Sequence, residues 1–600
     1  TVSWRAAGGE ATTRVLADGR TVVEAAIDLP DLPVGRHRLL LEGTECALTV
    51  APAEACGAKG ALRRRFGLTM QLYALRRAGD QGIGDLTTLR LAGERAGRAG
   101  AAFLGVNPLH ALDQSHRLRC SPYHPSDRRF LDPFHIDVLD AADLPRDEAS
   151  EAAIAALNGA IAAASRASAV DYEAVWAIKR QALAARFAAF ERARVSKPGE
   201  ALFAEYAGFV AQGGDALRRF AIFQATAQER SGEDWRRWPQ ALRIGERDAL
   251  ERKAAEHVSE VDLALFMQWL ADRQLAAAAG RAKQAGLDIG LYRDLAVGAA
   301  PDGAESWARA GELAQRVSVG APPDPFSAQG QIWNVQPPDP HASARDGWRG
   351  FGRLIAANMR HAGMLRIDHA MGLTRLFVVP DGASPAQGAY LAYPVDDLLG
   401  HVALESQRHA CMVVGEDLGT VPEGFRDRMT RADILGMRVL WFERRGADFL
   451  NPAQYPPLSV AYVATHDLPT LAGWWSGADI AERLSLGLVS LEDAHEQIGE
   501  RLQEKRALLA ALGLPREAQD LAAPMSDALA GAVHAFLADA GSLFASAQFD
   551  DLAGERTATN LPGTDRERPN WSHKLAGDVE ALFASPRARA ILAALAARRS

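Results

Sequence analysis

The sequence predicts an α/β protein built on a (β/α)8 TIM barrel, with a large helical insertion subdomain and a small N-terminal β-domain. Eight short apolar runs follow one another along the chain, and helical patterns rich in Ala, Leu, Arg and Glu lie between most of them. A strand followed by a helix, repeated eight times, is typical of such a barrel. The runs are mostly continuous rather than alternating, as expected for parallel strands that are buried on both faces.

Most of the runs end in polar or charged residues, which is where barrels of this kind place their active sites. The eight runs span residues 67–73, 102–107, 287–294, 364–369, 412–417, 438–442, 460–467 and 545–551. An open, doubly wound sheet is the competing architecture. It would favour a Gly-rich dinucleotide turn after a strand, and the nearest candidate, residues 82–85, lacks the third glycine.

The chain divides into three predicted parts. Residues 1–58 show short alternating segments separated by Asp-Gly and Pro-Val-Gly turns, which predicts a small β-sandwich-like domain that packs at the edge of a larger one. Residues 59–600 form the catalytic barrel. The gap between the second and third runs is too long for one βα connection, so residues 140–285 are predicted to be a helical insertion subdomain. A coiled coil is disfavoured there because Gly213, Gly214 and Pro239 interrupt any heptad.

Composition and charge exclude several classes of protein. The 600 residues exceed what one hydrophobic core supports, and 48% hydrophobic with 24% charged residues is ordinary globular composition. A net charge of −8 offers no basic field for nucleic acid or an anionic membrane. No stretch approaches the roughly 20 apolar residues of a membrane span, and the first residues do not resemble a signal peptide. We therefore expect a cytoplasmic monomer or homodimer.

The chain has only four cysteines, Cys46, Cys56, Cys120 and Cys411. A secreted disulfide scaffold would use far more, so these are expected to be free and mostly buried thiols. The short spacing of Cys46 and Cys56 leaves a disulfide or a metal site open, although no second ligand pair completes a metal site.

Three acidic residues are the candidate catalytic groups, because each one ends a predicted strand. Asp368 ends the fourth strand, Glu416 the fifth and Asp467 the seventh. In a barrel these strand ends converge on one cleft. Cleavage of a glycosidic bond needs an acid that protonates the leaving oxygen and a carboxylate that faces the developing oxocarbenium ion. This is the chemistry that the pattern favours.

Neighbouring residues suggest different roles for two of the carboxylates. Arg366 lies two positions before Asp368 on the same strand face, and a fixed cation there favours an ionised nucleophile. Glu416 has no basic neighbour in sequence and can keep the proton that an acid needs. Asp417 and His369 are expected to support them. Each acid on its own could equally be a helix cap or a surface ion-pair partner; three at matching strand ends favour a site.

A metal site built from Asp368, His369, Glu416, His466 and Asp467 is a further alternative, since these residue types also bind catalytic metals. No His-Glu-x-x-His spacing is present. The protein is therefore expected to need no metal ion.

Eleven short segments in order along the chain resemble one known family. They are 71–76, 82–86, 107–112, 121–126, 290–298, 319–324, 365–369, 393–398, 415–422, 464–470 and 560–564. The chain resembles glycoside hydrolase family 77, the amylomaltases or 4-α-glucanotransferases, from about residue 65 to 575. Single motifs of this length are weak, but this many in the same order are specific.

The resemblance implies a metal-free and cofactor-free enzyme that moves α-1,4-glucan segments to the 4-hydroxyl of an acceptor sugar by a retaining double displacement. Its partners would be α-1,4-glucans and maltooligosaccharides. It implies Asp368 as nucleophile, Glu416 as acid/base and Asp467 as the carboxylate that grips the distorted sugar. The residues expected to support these or to contact substrate are Arg366, His466, Tyr73, Asn107, Asp294 and Trp333.

Two positions depart from the family pattern. Relatives often carry an aromatic residue just before the segment 82–85, where this chain has Asp80 and Gln81, which puts a sugar-stacking contact in doubt. A loop that usually reads Gly-Gln-x-Trp-Gly keeps Trp333 here but has Asn334 in place of the last glycine, so its flexibility over the acceptor site is in question.

Two other functions remain open from the residues alone. The same three carboxylates would also serve a plain α-1,4-glucan hydrolase, and only the resemblance favours transfer. A non-catalytic glucan-binding scaffold is the alternative from another class, and the intact set Asp368, Glu416 and Asp467 argues against it.

Overall fold

The computed structural model describes residues 5–6, 12–15, 19–24, 27–41, 44–60, 63–140, 143–323, 329–515, 520–565 and 567–599. Eight parallel strands form its centre, and we number them β1 to β8. They are β1 (Arg65–Met70), β2 (Phe103–Val106), β3 (Gly290–Leu295), β4 (Met364–Ile367), β5 (Met412–Gly415), β6 (Gly436–Val439), β7 (Ser459–Tyr462) and β8 (Phe544–Gln548).

The eight strands close into a barrel in sequence order. Regular ladders join every neighbouring pair from β6 through β8 and β1 to β5. The last gap, between β5 and β6, is closed by two backbone bonds just before β6. The Leu435 amide donates to the Val413 oxygen at 2.9 Å, and the Gly415 amide donates to the Leu435 oxygen at 2.8 Å. The predicted TIM barrel is confirmed.

Each of the eight predicted runs overlaps one barrel strand, but the strand ends differ. The sixth strand begins at Gly436, two residues before its predicted run, and the seventh ends at Tyr462, five residues before Asp467. Apolar sequence continues past the end of β7 because Val463 and Ala464 stay buried after the ladder ends. Apolar residues indicate that a segment is buried, and a buried segment can continue past the last residue that is hydrogen-bonded to a neighbouring strand.

Helices surround the barrel in the order expected for repeated βα units. The first, Leu86–Arg98, is capped by Asp85, whose side chain accepts a hydrogen bond from the Thr88 amide. Those that follow β4, β5, β7 and β8 are Val395–His409, Phe425–Arg431, Leu471–Ser476, Ala478–Ser485, Leu491–Ala511, Asp527–Ala538, Phe549–Ala553, Val579–Ala584 and Pro586–Ala596; two more, Pro340–Arg345 and Arg349–Met359, precede β4. The connection from β6 to β7, which the structure describes in full, carries only the single 3-10 turn Pro452–Gln454 as helix.

The segment between β2 and β3 is helical, as its sequence predicts. Its helices are Glu148–Ala155, Asn158–Arg166, Tyr172–Ser196, Ala201–Glu229, Gln240–Arg243, Arg247–Glu256 and Val258–Gln284. The last of them packs along Leu86–Arg98, where Gly93 and Gly97 allow close approach of Ala282 and Ala285. This helix therefore belongs to the outer ring of the barrel as well as to the insertion, and the domain limits 140–285 remain a prediction.

A four-stranded antiparallel sheet flanks the barrel mouth, and the sequence analysis did not predict it. Its strands lie in the order Gln331–Ile332, Val317–Ala321, Arg375–Pro380 and Ala389–Ala392. Asp324, in one of the family-like segments, lies outside the described residues. A second short hairpin pairs His110–Ala111 with Asp127–Leu131 and carries the connecting loop towards the cleft.

The N-terminal region consists of strands where it is described. Antiparallel pairs join Arg5–Ala6 to Ile27–Asp28, Thr12–Val15 to Thr21–Glu24, and Gly35–Leu41 to Thr44–Val50. The last hairpin packs on the helix Val395–His409, where Arg36 and Glu405 form an ion pair at 2.6 Å. These contacts agree with a packing role. Other parts of 1–58 lie outside the described residues, and the boundary at residue 58 stays a prediction.

All four cysteines are free, as expected. Cys411 is buried and Cys56 and Cys120 are partly buried, but Cys46 is exposed, on a strand of the N-terminal hairpin. Across the described ranges, no helix combines the length and the apolarity needed to cross a bilayer.

Candidate active site

The ends of β4 and β5 bring Asp368 and Glu416 side by side. Ile367 and Gly415 are paired in the ladder, so the residues that follow them leave the barrel together. His369 adopts a left-handed conformation (φ 45°), and its amide donates to Glu416 Oε2 at 2.9 Å. The Leu418 amide donates to Glu416 Oε1 at 2.8 Å. The Glu416 carboxylate is therefore fixed against the turn that carries Asp368.

Arg366 connects Asp368 to a further acid on the neighbouring strand. Its Nη2 forms an ion pair with Asp368 Oδ1 at 2.8 Å, and its Nη1 donates to both oxygens of Asp294 at 2.8 and 2.9 Å. Asp294 and Arg366 occupy paired positions of β3 and β4, so their side chains point to the same face. The guanidinium that the sequence places beside Asp368 is thus shared between two carboxylates.

Asp467 is held on the opposite side of the mouth by a histidine and an amide. His466 Nε2 lies 3.2 Å from Asp467 Oδ2, and Asn560 Nδ2 donates to Asp467 Oδ1 at 2.7 Å. Tyr123 stacks on the His466 ring with centroids 4.6 Å apart and donates its hydroxyl to Asp294 at 2.6 Å. One continuous set of contacts therefore links all the strand ends that carry these residues.

The three carboxylates differ in how readily they hold a proton. Burial raises the pKa of Glu416 to about 7, against the lowering effect of Arg366. Burial also raises the pKa of Asp368. The positive charge of Arg366 opposes this rise but does not cancel it, because Arg366 also pairs with Asp294. Desolvation alone would raise the pKa of Asp467. The charge of His466 and the hydrogen bonds from His466 and Asn560 have a larger opposite effect and lower this pKa to about 2. Such divergence is what a division into acid and anion requires.

A cleft beside Arg366 and His466 has a volume of about 60 Å³. Its wall includes Asn107, Tyr123, Asp294, Arg366 and His466. The Asn107 side chain is already engaged, since its Oδ1 accepts from the Leu72 amide at 2.7 Å. The Asn107 side chain therefore contributes to the cleft by shaping the loop after β2.

Two of the expected substrate contacts lie outside this wall. Tyr73 is buried behind Trp571, with ring centroids 6.5 Å apart, and Trp571 in turn packs against Tyr123 and His466. Trp333 is half-buried at the end of the four-stranded sheet, with its ring edge-on to His369 at 5.2 Å. Tyr73 thus supports an aromatic layer, whereas Trp333 borders the turn next to Asp368.

The two departures from the family pattern have clear structural settings. Asn334 has φ 55°, in the left-handed region that glycine favours and that asparagine tolerates best among the other residues. The loop geometry therefore persists without the glycine. Gln81 is fully buried and donates to Asp137 Oδ1 at 3.0 Å, while its own Oε1 accepts from Lys179 Nζ at 3.2 Å. It is a packing residue, so any sugar-stacking contact comes from elsewhere.

The expected support residues also find partners. Asp417 is buried and accepts from the Met437 amide at 2.7 Å, which ties β5 to β6. Burial lowers the pKa of His369 to about 4, so its ring is neutral near pH 7. Within the described ranges, no three His, Cys, Asp or Glu side chains are grouped so that they could hold a metal ion.

Sequence reasoning did not single out Tyr123 or Asn560 as site residues. Both lie in segments that resemble the family, Ser-Pro-Tyr-His-Pro-Ser at 121–126 and Asn-Leu-Pro-Gly-Thr at 560–564. The signal was present, but neither residue ends a predicted strand. Their loops reach the cleft only because the hairpin after β2 and the chain after β8 fold over the mouth.

Comparisons with known proteins identify the family of this chain. Residues 70–579 match the model of glycoside hydrolase family 77, described as 4-alpha-glucanotransferase. The chain is 36% identical to a 4-alpha-glucanotransferase of Mycobacterium tuberculosis over 97% of its length and 82% of the relative. It is 32% identical to a 4-alpha-glucanotransferase of Haemophilus influenzae, covering 94% of this chain and 83% of the other.

A solved structure shows the same fold along the whole chain. The amylomaltase of Corynebacterium glutamicum superposes with a TM-score of 0.86 at 31% identity, covering 99% of this chain and 84% of that one. The fold, the cleft with its acidic strand ends and these matches lead to one conclusion: the chain belongs to glycoside hydrolase family 77 and is a 4-α-glucanotransferase.

Proposed function

We propose that this glucanotransferase works by a retaining double displacement with Asp368 as nucleophile, Glu416 as acid/base and Asp467 as the anchor of the reacting sugar. The observation that carries the proposal is the setting of Glu416. Two backbone amides hold its carboxyl beside the Asp368 turn, and burial raises its pKa to about 7. Cleavage of the glycosidic bond requires an acid that lies close to the sugar attacked by the nucleophile and that is still protonated near neutral pH.

In the first step, the Asp368 carboxylate attacks the anomeric carbon of the donor glucan. The bond from that carbon to the leaving oxygen breaks, and Glu416 gives its proton to that oxygen. The products are a glycosyl ester on Asp368 and a shortened glucan with a free 4-hydroxyl. Arg366 stabilises the anionic form of Asp368 before attack, through the ion pair at 2.8 Å.

In the second step, Glu416 is a carboxylate and removes the proton from the 4-hydroxyl of an acceptor sugar. The oxygen attacks the anomeric carbon, the ester bond to Asp368 breaks, and a new α-1,4 bond forms. Asp467 is already an anion held by His466 and Asn560, so it accepts hydrogen bonds from sugar hydroxyls throughout. Every proton and bond in the cycle is thereby assigned to a residue of this chain.

Incubation of the pure protein with maltotriose tests this proposal. We expect a ladder of longer maltooligosaccharides together with glucose, resolved by chromatography, and the same ladder in the presence of EDTA. Short sugars alone would identify a hydrolase that uses the same carboxylates. An unchanged substrate would identify a glucan-binding scaffold, and a ladder that disappears in EDTA and returns with one divalent ion would contradict the metal-free mechanism.

Trp333 is proposed to shape the acceptor side of the cleft. It borders His369 and is half-buried, with its Nε1 donating to Gln331 Oε1 at 2.9 Å, so one part of the ring is available for stacking on a sugar. Trp333→Ala should lower transfer several-fold more than hydrolysis, because water then competes better for the glycosyl ester. The measurement is the ratio of free glucose to long oligosaccharides formed from maltotriose.

Trp333→Phe is the matched control, because it keeps an aromatic face at the same place and should retain most of the transfer. If Trp333 serves only to anchor the hydrophobic core that includes Val335, Leu365 and Met371, against which it packs, the Ala variant will instead melt at lower temperature and lose both activities together. That outcome would end the acceptor-side assignment.

A further inference from the structure

A second cavity lies outside the barrel, between β3 and the helical insertion, with a volume of about 160 Å³. Arg293 belongs to the walls of both this cavity and the catalytic cleft, and its guanidinium is directed towards the end of the helix Arg349–Met359, where it bonds to Ala357 and Arg360. The remaining wall comes from the strand Asp127–Leu131, from the helices Ala201–Glu229 and Val258–Gln284, and from the end of Arg349–Met359. None of the proposed catalytic carboxylates borders it.

The wall of this cavity carries an excess of positive charge. Arg129, Arg293 and Arg360 all contribute to it, and Asp272 is the acidic residue among its lining groups. Asp272 forms an ion pair with Arg360 at 2.6 Å. Arg129 forms an ion pair at 2.6 Å with Asp127, which does not line the cavity. With these two pairs counted as neutral, the charge of Arg293 remains, so the cavity is left with a net charge of +1.

Arg293 is the residue whose charge has no direct counterion. Only 4% of its surface is exposed, and its guanidinium donates to the carbonyl oxygens of Ala357 and Arg360, each at 3.1 Å. No carboxylate of the described residues lies within ion-pair distance of it. Burial lowers its pKa to about 10 for this reason. A buried cation without an anion beside it is costly, and an anionic ligand would offset that cost.

The rest of the wall suits a ligand with an organic part. Phe209 lies under the Arg360 guanidinium, 5.7 Å from the ring centroid, and Phe130 and Leu217 add apolar surface. The helix that carries Phe209 and Leu217 is broken between them at Gly214, whose φ of 52° and ψ of −146° are open to glycine alone. The break lies next to Gly213, which lines the cavity.

We propose that this cavity is a binding site for a small phosphate-bearing anion, either orthophosphate or a phosphate monoester such as a sugar phosphate. Arginine forks pair with phosphate oxygens in bidentate geometry. A phosphate monoester is an anion at neutral pH and offers three strong acceptor oxygens, whereas a carboxylate offers two. The site shares Arg293 with the wall of the catalytic cleft but contains none of the proposed catalytic carboxylates, and its test does not depend on the proposed roles of Asp368 and Glu416.

Isothermal titration of the full chain with sodium phosphate, and separately with glucose 6-phosphate, tests the proposal. Sodium chloride keeps the ionic strength constant, so that general screening does not change during the titration. We expect saturable binding with one site per chain. Tighter binding of the ester than of orthophosphate would identify a phosphorylated sugar as the ligand, and the reverse order would identify free phosphate.

Variants of the wall locate the binding. Arg293→Met and Arg360→Gln should each weaken it by at least about tenfold, since each removes a charged hydrogen-bond donor. Arg353→Gln is the matched control, because Arg353 is an exposed residue of the same helix as the cavity wall and pairs only loosely with Asp346, at 3.8 Å. It should leave binding unchanged.

Arg360 is 41% exposed, so its variant is expected to fold even if Arg293→Met does not, and it then carries the test alone. Absence of saturable heat for both ligands at tens of millimolar would overturn the proposal. Unchanged affinity in Arg360→Gln and in any folded Arg293→Met would overturn it as well, because binding would then have to occur elsewhere, for example at Arg366 in the cleft.

Discussion

Replacement of Asp368 by Asn should lower the rate of glucan transfer by at least about 10⁴-fold, as expected when a covalent nucleophile is removed. An amide cannot form the glycosyl ester, and no other group in the proposed cycle can do so. Folding should persist, because Arg366 keeps both of its hydrogen bonds to Asp294 after its ion pair with residue 368 is lost. Initial rates with maltotriose, together with the melting temperature, measure the two effects.

A matched control separates loss of chemistry from loss of charge. Asp396 is an exposed carboxylate on the helix Val395–His409, paired with Arg428, and Asp396→Asn should leave the rate unchanged. In Asp368→Ala, added azide fills the space of the lost carboxylate and should attack from the same side. The product is then a β-glycosyl azide. Near-normal activity in Asp368→Asn combined with an inactive Asp467→Asn would move the nucleophile to Asp467.

Replacement of Glu416 by Gln should lower the rate by about 10²- to 10⁴-fold, the usual contribution of general acid–base catalysis. Gln keeps the size of the side chain and can still accept from one of the two amides of His369 and Leu418. The first step should recover with an α-glucosyl fluoride donor, because fluoride leaves without a proton. Asp368→Asn should not recover with this donor. Equal loss with both donors would show that Glu416 is not the acid.

The pH profile gives a second check on the same residue. Glu416 must be protonated to start the reaction and has a pKa of about 7, so kcat/KM should fall as the pH rises above about 7. Asp368 must be ionised, so the acidic side of the profile should fall where its raised pKa is crossed. The fall above pH 7 should be absent from Glu416→Gln. A wild-type profile that stays flat from pH 6 to 9 would contradict the assignment.

The barrel and the three acids could be predicted because their signals are local. Continuous apolar runs identify buried parallel strands, and Asp368, Glu416 and Asp467 follow three of them. Strand order then places their ends at one mouth, as the topology confirms. The strand limits were less accurate, because apolar residues continue past the point where pairing ends.

The sheet beside the mouth and the residues on long loops were not predicted. The strands Val317–Ala321 and Arg375–Pro380 are separated by more than fifty residues, and nothing in either one specifies its partner. Tyr123 and Asn560 lie on loops whose path depends on distant packing. Residues on loops reach a site through the whole fold, so their spacing in sequence carries no signal.

The sequence by itself determined the barrel and the family and led to the proposal of the three carboxylates, because these depend on local hydrophobicity and on short segments that can be recognised one at a time. The tertiary structure decided how the charges are shared. Arg366 lies two residues from Asp368 in the sequence, yet it divides its charge with Asp294 of the neighbouring strand, and burial rather than sequence neighbours sets the pKa of Glu416. Both effects depend on distances and on exclusion of water, which exist only once the chain has folded.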